Sequence, residues 1–213
     1  MDIVDNFSKN VFINCPFDAD YRQLLIGIIF TVKYFDYIPR LSLEREDSGE
    51  SRIGKILRII EESKFGIHDL SRIVSKKKGE HYRMNMPFEL GIDYGCQKLK
   101  GGRWEGKKIL VLEKEKYRFQ KAISDLSGSD IKNHDDEVSK VVCAVRDWFV
   151  TEELQTGHSG ERVWNDYNDF QAYLYDEAVE KNGHKSSDDV PITEIIHYMS
   201  NWFNSKVTCC AHS

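Results

Sequence analysis

Short apolar runs alternate with stretches of helical periodicity through the first half of the chain. Four runs rich in Val, Ile, Leu and Phe predict strands, and they lie at 10–17, 37–43, 65–71 and 107–114. Three stretches repeat apolar residues every three or four positions and predict helices, and they lie at 20–35, 52–64 and 86–99. Because parallel strands need a crossover that an intervening helix supplies, this alternation predicts a parallel α/β sheet of the flavodoxin-like type.

Beyond residue 118 the pattern becomes helical. Three further amphipathic stretches predict helices, and they lie at 136–150, 161–182 and 191–204. We therefore expect an α/β domain over 1–118 and a helical region over 119–213. This region is rich in aromatic residues, namely Trp148, Trp164, Tyr167, Phe170, Tyr173, Tyr175, Trp202 and Phe203. Two explanations fit them: packing in the core, or an interface with another copy or a partner protein.

Composition and charge narrow the class of protein. A chain of 213 residues can bury one substantial core, and a formal net charge of −5 gives no general attraction for nucleic acid. The three lysines at 76–78 form a local basic cluster, for which we favour a solvated loop over a binding patch. No apolar stretch approaches the length of a membrane span, and the first ten residues do not have the pattern of a secretion signal. These features predict a cytoplasmic protein without a membrane partner.

The cysteines predict reduced thiols rather than a metal site. Five cysteines are scattered along the chain without CxxC spacing. Cys209, Cys210 and His212 lie together near the end, but three ligand types on a frayed terminus make a poor metal site. We therefore expect no metal.

The predicted sheet indicates where a site should lie. In open parallel sheets, ligands bind beyond the carboxyl ends of the strands, where strand order reverses. In the order 2-1-3-4-5 that crevice lies between the first and third strands. The segments that reach it are the end of the first strand, the end of the third strand and the start of the helix after it, which supply Asn14, Cys15, Pro16, Phe17, Asp18, His68, Asp69, Leu70, Ser71 and Glu89.

Each titratable residue of this set also has an ordinary structural explanation. If Met86 is the N-cap of its helix and Pro87 the first helical residue, Glu89 falls at the third position, where a carboxylate caps the helix. Asp69 would organise the turn after its strand. His68 would be a packed histidine without a titrating role. Glycine is missing from residues 14–21, which disfavours a dinucleotide or P-loop phosphate site, and neither a nucleophile elbow nor an HExxH zinc motif is present.

Four segments together resemble a bacterial family of TIR-like nucleotide-binding proteins that is related in pattern to nucleoside 2-deoxyribosyltransferases. They are FINCPFDADY, IPRLSLE, SRIGKILRIIEESKFGIHDLS and RMNMPFELGIDYG, and the resemblance covers residues 10–115. In TIR-type NAD hydrolases and in deoxyribosyltransferases the corresponding helix carries the catalytic glutamate, which maps onto Glu89. Asp69 is similar to the acidic residue that orients the ribose or its attacking partner. The chain lacks the serine and the tryptophan-cysteine run that typical TIR domains carry before the glutamate.

The resemblance implies a nucleotide N-glycosidase that takes NAD as substrate, without a bound cofactor, and releases nicotinamide. Cleavage of this bond develops positive charge on the sugar while a neutral base departs from a pyridinium, so one ionised carboxylate can stabilise or attack the sugar. A nucleoside has a poorer leaving base and would need a proton donor, for which Asp69 or a protonated His68 are the local candidates. Transfer of deoxyribose to a free base, and nucleotide sensing without catalysis, are the alternatives.

The expected substrate-binding residues surround the same rim. Phe17 and Tyr21 are candidates to stack on a base or on the nicotinamide ring. Arginines are candidates to meet phosphates, and they are Arg40, Arg52, Arg72 and Arg83. The remaining polar candidates are Asn14, Asp18, His68, Ser71 and Asn85. The polar loop 72–84 is long enough to act as a lid.

The resemblance also implies a setting and partners. Proteins of the TIR-like type act in bacterial anti-phage defence or in stress responses, and their subunits commonly assemble to complete each other's sites. We therefore expect a homo-oligomer or a partner protein of a defence system.

Overall fold

The computed structural model describes residues 5–44, 49–72, 84–118, 123–126 and 130–210. Within these ranges five strands form, and they are β1 (Asn10–Asn14), β2 (Ile38–Arg40), β3 (Phe65–Asp69), β4 (Lys108–Glu113) and β5 (Ile131–Asn133). The α-helices of these ranges are α1 (Arg22–Tyr34), α2 (Arg52–Glu61), α3 (Asn85–Leu99), α4 (Val138–Phe149), α5 (Gly160–Tyr175) and α6 (Ile192–Cys210). Helices α4 and α5 each continue into a π-helical turn, at Val150–Leu154 and Asp176–Lys181.

The strands form one parallel sheet in the order β2-β1-β3-β4-β5. This confirms the predicted α/β architecture of flavodoxin-like type with helices in the C-terminal region. In the register of the central pair, Ile13 lies beside Ile67 and Asn14 beside His68. Strand order reverses between β1 and β3, so the crevice at the carboxyl end of the sheet lies between these two strands.

Strand β5 lies in a region from which only helices are predicted. It has three residues, Ile131, Lys132 and Asn133, of which none is fully buried. A strand this short has no apolar run and too few residues for alternation to be recognised. As a result, the sheet extends past residue 118, and α4 after β5 packs against α1.

Different helices cover the two faces of the sheet, because alternate residues of a strand point to opposite sides. On one face, Val11 and Ile67 belong to the main core together with α1 and α4. On the other face, Phe12 packs against α2, and Leu90 of α3 packs near Val111. We call these the α1/α4 face and the α2/α3 face.

Helix α1 is apolar around its whole circumference. Every residue from Leu24 to Val32 is buried. A helix of this kind must be covered on all sides, and here the sheet covers one side while α4, α5 and α6 cover the others. Gly27 permits the close approach of α4, because a Cβ atom there would lie 2.9 Å from Val138 Cγ1.

The aromatic residues of the C-terminal helices pack around Phe30 of α1. Ring centroids lie 5.3–5.6 Å from that of Phe30 for Tyr167, Phe170, Trp202 and Phe203. Aromatic pairs at such separations contribute roughly 0.5–1.5 kcal/mol each beyond the area that they bury. Of the two explanations given for the aromatic residues, packing in the core therefore holds for these four rings, whereas Tyr175 is 48% exposed.

Helix α1 begins at Arg22, two residues after the start of the stretch 20–35 that is predicted as a helix. A 3₁₀ turn at Ala19–Tyr21 precedes it, and Asp18 caps this turn, with its Oδ1 accepting from the Tyr21 amide at 3.1 Å. Within the described ranges, none of the helices combines the length and apolarity needed to cross a bilayer.

Candidate functional site

Three segments meet at the carboxyl rim between β1 and β3, as the order of the strands predicts. Asn14 and Asp69 are the last residues of β1 and β3, and α3 begins on the same edge. Consecutive strand residues point to opposite faces, so the side chains of His68 and Asp69 lie on opposite faces of the sheet. His68 lies with Asn14 and α3 on the α2/α3 face, whereas Asp69 lies with Tyr21 on the α1/α4 face.

A buried polar network on the α2/α3 face ties α3 to the sheet. Asn14 Nδ2 lies 3.0 Å from both Met86 O and His68 Nδ1. Because a carbonyl oxygen only accepts, this Asn14 atom is the donating amide nitrogen, and His68 Nδ1 is an acceptor. The ring proton of His68 is therefore on Nε2, which donates to Asp93 Oδ2 at 2.9 Å. His68 is thus neutral, with both ring nitrogens in use.

A buried ion pair completes this network. Lys107 Nζ lies 3.0 Å from Asp93 Oδ1, and both side chains are 0% exposed. Lys107 also donates to the carbonyls of Ile60 and Ser63. Burial acts to raise the pKa of Asp93, but the hydrogen bond from His68 and the Lys107 ammonium outweigh it and hold that pKa below its usual value. Asp93 is therefore an ionised group at the centre of the α2/α3 face.

Gly66 makes room for this carboxylate. A Cβ atom at this position of β3 would lie 2.2 Å from Asp93 Oδ2 and 2.9 Å from His68 Nε2. Any larger residue would push α3 away from the strand. The glycine in the predicted strand FGIHDLS therefore marks a close approach of a side chain to the sheet.

Asp69 is fully occupied by hydrogen bonds on the α1/α4 face. Its Oδ2 accepts from Tyr21 Oη at 2.7 Å and from His134 Nε2 at 2.9 Å. Its Oδ1 accepts from the Ser71 amide at 2.7 Å and from the Ser71 hydroxyl. The Asp136 amide donates to His134 Nδ1 at 3.0 Å, which places the ring proton on Nε2. Burial, then the Asp69 charge, raises the pKa of Tyr21 well above its usual value, so Tyr21 stays a hydroxyl donor.

Glu89 is a buried carboxylate that does not cap its helix. Helix α3 begins at Asn85 with Met84 as N-cap, so Glu89 is the fifth helical residue and not the third. The helix can begin before Pro87 because the first four amides of a helix need no partner within it. The expected start at Pro87 is therefore wrong by two residues, and the capping explanation of Glu89 falls with it.

The surroundings of Glu89 combine burial with one positive charge. Its side chain is 8% exposed, and Oε1 lies 3.8 Å from Nη2 of Arg52, the first residue of α2. Burial raises the pKa of Glu89, and the Arg52 guanidinium offsets part of this effect. The carboxylate therefore lies where α2 and α3 both start, at the rim that the strand order marks as the crevice.

The buried thiol of Cys15 lies close enough to carboxylates of both faces for their charges to affect its pKa. Burial raises the pKa of its thiol well above the usual value, and the charges of Asp69, Asp18 and Glu89 raise it further. These three carboxylates thus act on one buried atom although they come from three segments. A raised pKa favours the protonated form of the Cys15 thiol.

The other predicted site residues differ in how closely they approach this rim. Phe17 is exposed and available for stacking, and Asn85 is exposed at the first position of α3. Asp18 Oδ1 forms an ion pair with Arg72 Nη2 at 3.1 Å, beside the buried Ser71. Arg83 and most of the expected lid, residues 73–83, lie outside the described residues.

Arg40 is not brought to the rim. In the register of the sheet it lies beside Phe12, two residues before β1 ends. Its guanidinium forms ion pairs with Glu44 at 3.0 Å and Glu62 at 3.1 Å, and the Glu62 carbonyl accepts from Asn10 at the start of β1. Arg40 therefore points towards the amino end of the sheet. The prediction that it belongs to the rim is wrong because β2 is three residues long and ends early.

Three polar residues at the centre of these networks were not identified from the sequence. Asp93 lies in the predicted helix 86–99, Lys107 is the first residue of the predicted strand 107–114, and His134 lies in the region expected to be helical; all three are buried. A weak signal exists for Asp93, because it falls on the same helical face as Met86 and Leu90. The two histidine contacts span 25 and 65 residues, and local patterns do not report contacts at such separation.

Other clefts lie away from the rim. One of about 400 Å³ borders the start of β4 and is lined by residues that include Tyr94, Lys108 and Trp148. Another, of about 860 Å³, lies among the C-terminal helices beside Tyr34 and Trp202. Neither contains a residue that the sequence predicts for the site. Among the described residues no three His, Cys, Asp or Glu side chains are grouped as metal ligands, while the side chains of Cys209 and Cys210, and His212, lie outside the described part.

Comparisons of this chain with protein-family models, with curated proteins and with solved structures find no match. The function is therefore argued from the geometry of the rim and from the resemblance of the four sequence segments. Glu89, Arg52 and the rim residues around Cys15 carry that argument.

Proposed function

We propose that the chain hydrolyses the N-glycosidic bond of a nucleotide, with NAD as substrate and nicotinamide as the released base. The observation that carries this proposal is Glu89, a buried carboxylate at the crevice that is paired with Arg52 and does not cap its helix. A buried carboxylate that has no capping role in its own helix and a raised pKa is typical of a functional site.

Glu89 is suited to stabilise a positively charged sugar. As the bond to nicotinamide breaks, positive charge develops at the anomeric carbon, and a carboxylate in a low-dielectric site stabilises that charge more strongly than water does. Arg52 favours the ionised form of Glu89, which burial disfavours. A water molecule then attacks the sugar, either directly or after a covalent ester with Glu89 has formed.

The saturation of Asp69 and His68 supports a substrate whose leaving group needs no proton. Asp69 accepts four hydrogen bonds, and His68 is neutral with its one ring proton held by Asp93. Neither group has a proton to donate to a departing base. A nicotinamide leaves a pyridinium as a neutral molecule, whereas the base of a nucleoside leaves poorly unless it is protonated. This difference supports NAD over nucleosides as the substrate, and hydrolysis over deoxyribosyl transfer as the reaction.

Asp69 takes a different part in this proposal from the one that the resemblance implies. Its bonds to Tyr21, Ser71 and His134 fix the end of β3 and the first residue of the following loop. We assign Asp69 to positioning the rim, and Glu89 to contact with the substrate. Phe17 and Asn85 are exposed on two of the segments that reach this rim, and we assign the stacking and polar contacts to them. Action in anti-phage defence, through a homo-oligomer or a partner protein, completes the proposal by resemblance.

A non-catalytic nucleotide sensor is the second candidate function. The observation in its favour is the same saturation of Asp69, which removes one of the two carboxylates expected to act on the sugar. In a sensor, Glu89 and Arg52 would bind the ribose and phosphates without cleavage.

Release of nicotinamide from NAD by the purified protein tests the proposal. The wild type is assayed at high concentration beside Glu89→Gln, which keeps the shape of the side chain and removes its charge. Glu161→Gln makes the same chemical change on the exposed first turn of α5 and serves as the matched control. We expect release by the wild type and by Glu161→Gln, and a loss of at least a hundredfold in Glu89→Gln.

Two outcomes would count against this proposal. Equal release by Glu89→Gln and the wild type would remove Glu89 from the mechanism. Binding of NAD without release, measured by calorimetry on the same samples, would favour the sensor.

A further inference from the structure

The solvent side of α3 carries a row of exposed apolar residues. Met84 is 64% exposed, Phe88 60% and Leu99 87%. The buried side of the same helix is formed by Met86, Leu90 and Asp93, together with Glu89. Helix α3 therefore has two apolar sides, of which the sheet covers one.

Helix α2 extends this exposed surface. Ile53 and Leu57 are both more than 40% exposed and lie one helical turn apart. Glu61, one turn further on, forms an ion pair with Lys100 just after α3, so this side of α2 is turned towards α3. We call the surface formed by Ile53, Leu57, Met84, Phe88 and Leu99 the outer apolar face.

The centre of α3 is open to close approach by another backbone. Gly91 and Gly95 lie one turn apart on the exposed side, and a Cβ atom at either would meet nothing within 4 Å. Each glycine costs about 1 kcal/mol of helix stability relative to alanine. Nothing within the described chain requires these glycines, in contrast to Gly66, where a Cβ atom would clash.

We infer that the outer apolar face is the surface through which two copies of this chain associate. A two-fold axis at the level of Asp93 sets α3 antiparallel to its copy, with Gly91 of one chain opposite Gly95 of the other. The same axis places Phe88 of one copy opposite Lys98 and Leu99 of the other. The apolar side chains of Phe88 and Leu99 can then pack against each other at both ends of the helix pair. The surface is therefore complementary to itself, which a two-fold interface requires.

The charges of α3 also permit this pairing. Both of its carboxylates, Glu89 and Asp93, are buried on the inner side. Its lysine, Lys98, is turned over the ring of Tyr94, with Nζ 5.5 Å from the centroid. The seam between the two copies is thus free of opposed like charges on α3, and a neutral apolar partner fits it.

The size of the face sets the expected affinity. Helices of 10 and 15 residues are about 15 and 22 Å long, and side by side about 10 Å apart they form a patch of roughly 20 by 20 Å. Two copies would bury about 400 Å² each by this measure, about 800 Å² together, which is below the range of stable specific interfaces, so we expect a weak dimer that dissociates at micromolar concentrations. This inference does not rest on the proposed hydrolysis.

Sedimentation velocity of the full chain across concentrations from about 1 to about 300 µM tests the inference, because this range spans the expected dissociation constant. Two variants are compared with the wild type. Phe88→Ser removes the largest side chain of the face, and Gly95→Leu fills the seam from a position where a Cβ atom has open space around it in the monomer. Tyr175→Ser, which removes an aromatic ring that is 48% exposed on α5, is the control.

We expect a dimer in the wild type and in Tyr175→Ser, and a dissociation constant raised about thirtyfold or more in Phe88→Ser. Gly95→Leu is expected to weaken the dimer while it raises the midpoint of chemical unfolding, because leucine favours a helix more than glycine does. A gain in folding stability together with a loss of association separates the interface from a damaged fold. A wild type that stays monomeric throughout the range, or a dimer unchanged in both variants, overturns the inference.

Discussion

Replacing Asp93 with asparagine would leave the Lys107 ammonium buried without a counter-charge. Both side chains are 0% exposed, and Nζ lies 3.0 Å from Asp93 Oδ1 in the wild type. The remaining partners of Lys107 are neutral carbonyl oxygens, of Ile60 and Ser63. Asparagine keeps the shape of aspartate and can still accept from His68, so the perturbation is mainly the loss of one negative charge.

The magnitude follows from the cost of an unpaired buried charge. Removing one partner of a buried ion pair costs about 3–5 kcal/mol. A domain of ordinary stability unfolds with roughly 5–15 kcal/mol, so Asp93→Asn should remove between about a fifth of the total and nearly all of it. In the double variant with Lys107→Met both charges are gone, and the cost should be far smaller than the sum of the two single changes. We expect a coupling free energy of at least about 2 kcal/mol.

Chemical unfolding followed by circular dichroism measures these changes for the wild type, the two single variants and the double variant. The pH dependence gives a second readout. Because the folded pKa of Asp93 is depressed, its contribution to stability is full above the pKa of the unfolded carboxyl and is lost as the pH falls through the folded value. Asp93→Asn should lack this part of the acid dependence.

The reasoning would be refuted by two results. A loss below about 1 kcal/mol in Asp93→Asn would mean that water or another group reaches Lys107. Additive losses in the double variant would mean that the two charges do not stabilise each other.

Two further predictions concern the same face of the sheet. Gly66→Ala should lower the free energy of unfolding by about 3 kcal/mol, since its Cβ would lie 2.2 Å from Asp93 Oδ2. Gly91→Ala, with open space around its Cβ, should instead raise the free energy by about 0.5–1 kcal/mol, and equal effects in both variants would contradict the argument. Glu89→Gln should leave the free energy of unfolding at neutral pH at or above the wild-type value. Burial raises the folded pKa of Glu89, so folding favours the protonated form and stability falls as the pH rises through that pKa. Unfolding titrations at acidic and neutral pH measure this, and a loss above about 1 kcal/mol at neutral pH would show that Glu89 holds the fold together.

The strands and helices up to β4, and the rim where they meet, were predictable because each depends on local periodicity. Alternating apolar runs and amphipathic stretches determine a parallel sheet, and a parallel sheet determines which ends of the strands meet. The assignment of Asn14 and Glu89 to one rim needed nothing further.

The division of the site between two faces was harder to see. His68 and Asp69 are neighbours in sequence, and the two-residue period of a strand already implies that they point apart. Their partners, however, come from α3 and from the segment after β5, which are 25 and 65 residues away. A charge such as Lys107 looks exposed in any local pattern, because only the folded chain brings Asp93 to it. The helix start at Asn85 was missed because proline suggests a boundary even where the first turn tolerates it.

Helix α1 is covered on every side, and this has a consequence for how the sequence can evolve. The buried segment from Leu24 to Val32 is kept from aggregating only while α4, α5 and α6 enclose it. A shorter ancestor without those helices would have needed polar residues at several of these positions to stay free of aggregation. Gain or loss of the C-terminal region therefore requires coordinated substitutions in α1, more than a hundred residues earlier in the gene product. We expect the two parts to change together during evolution and to resist exchange with other modules.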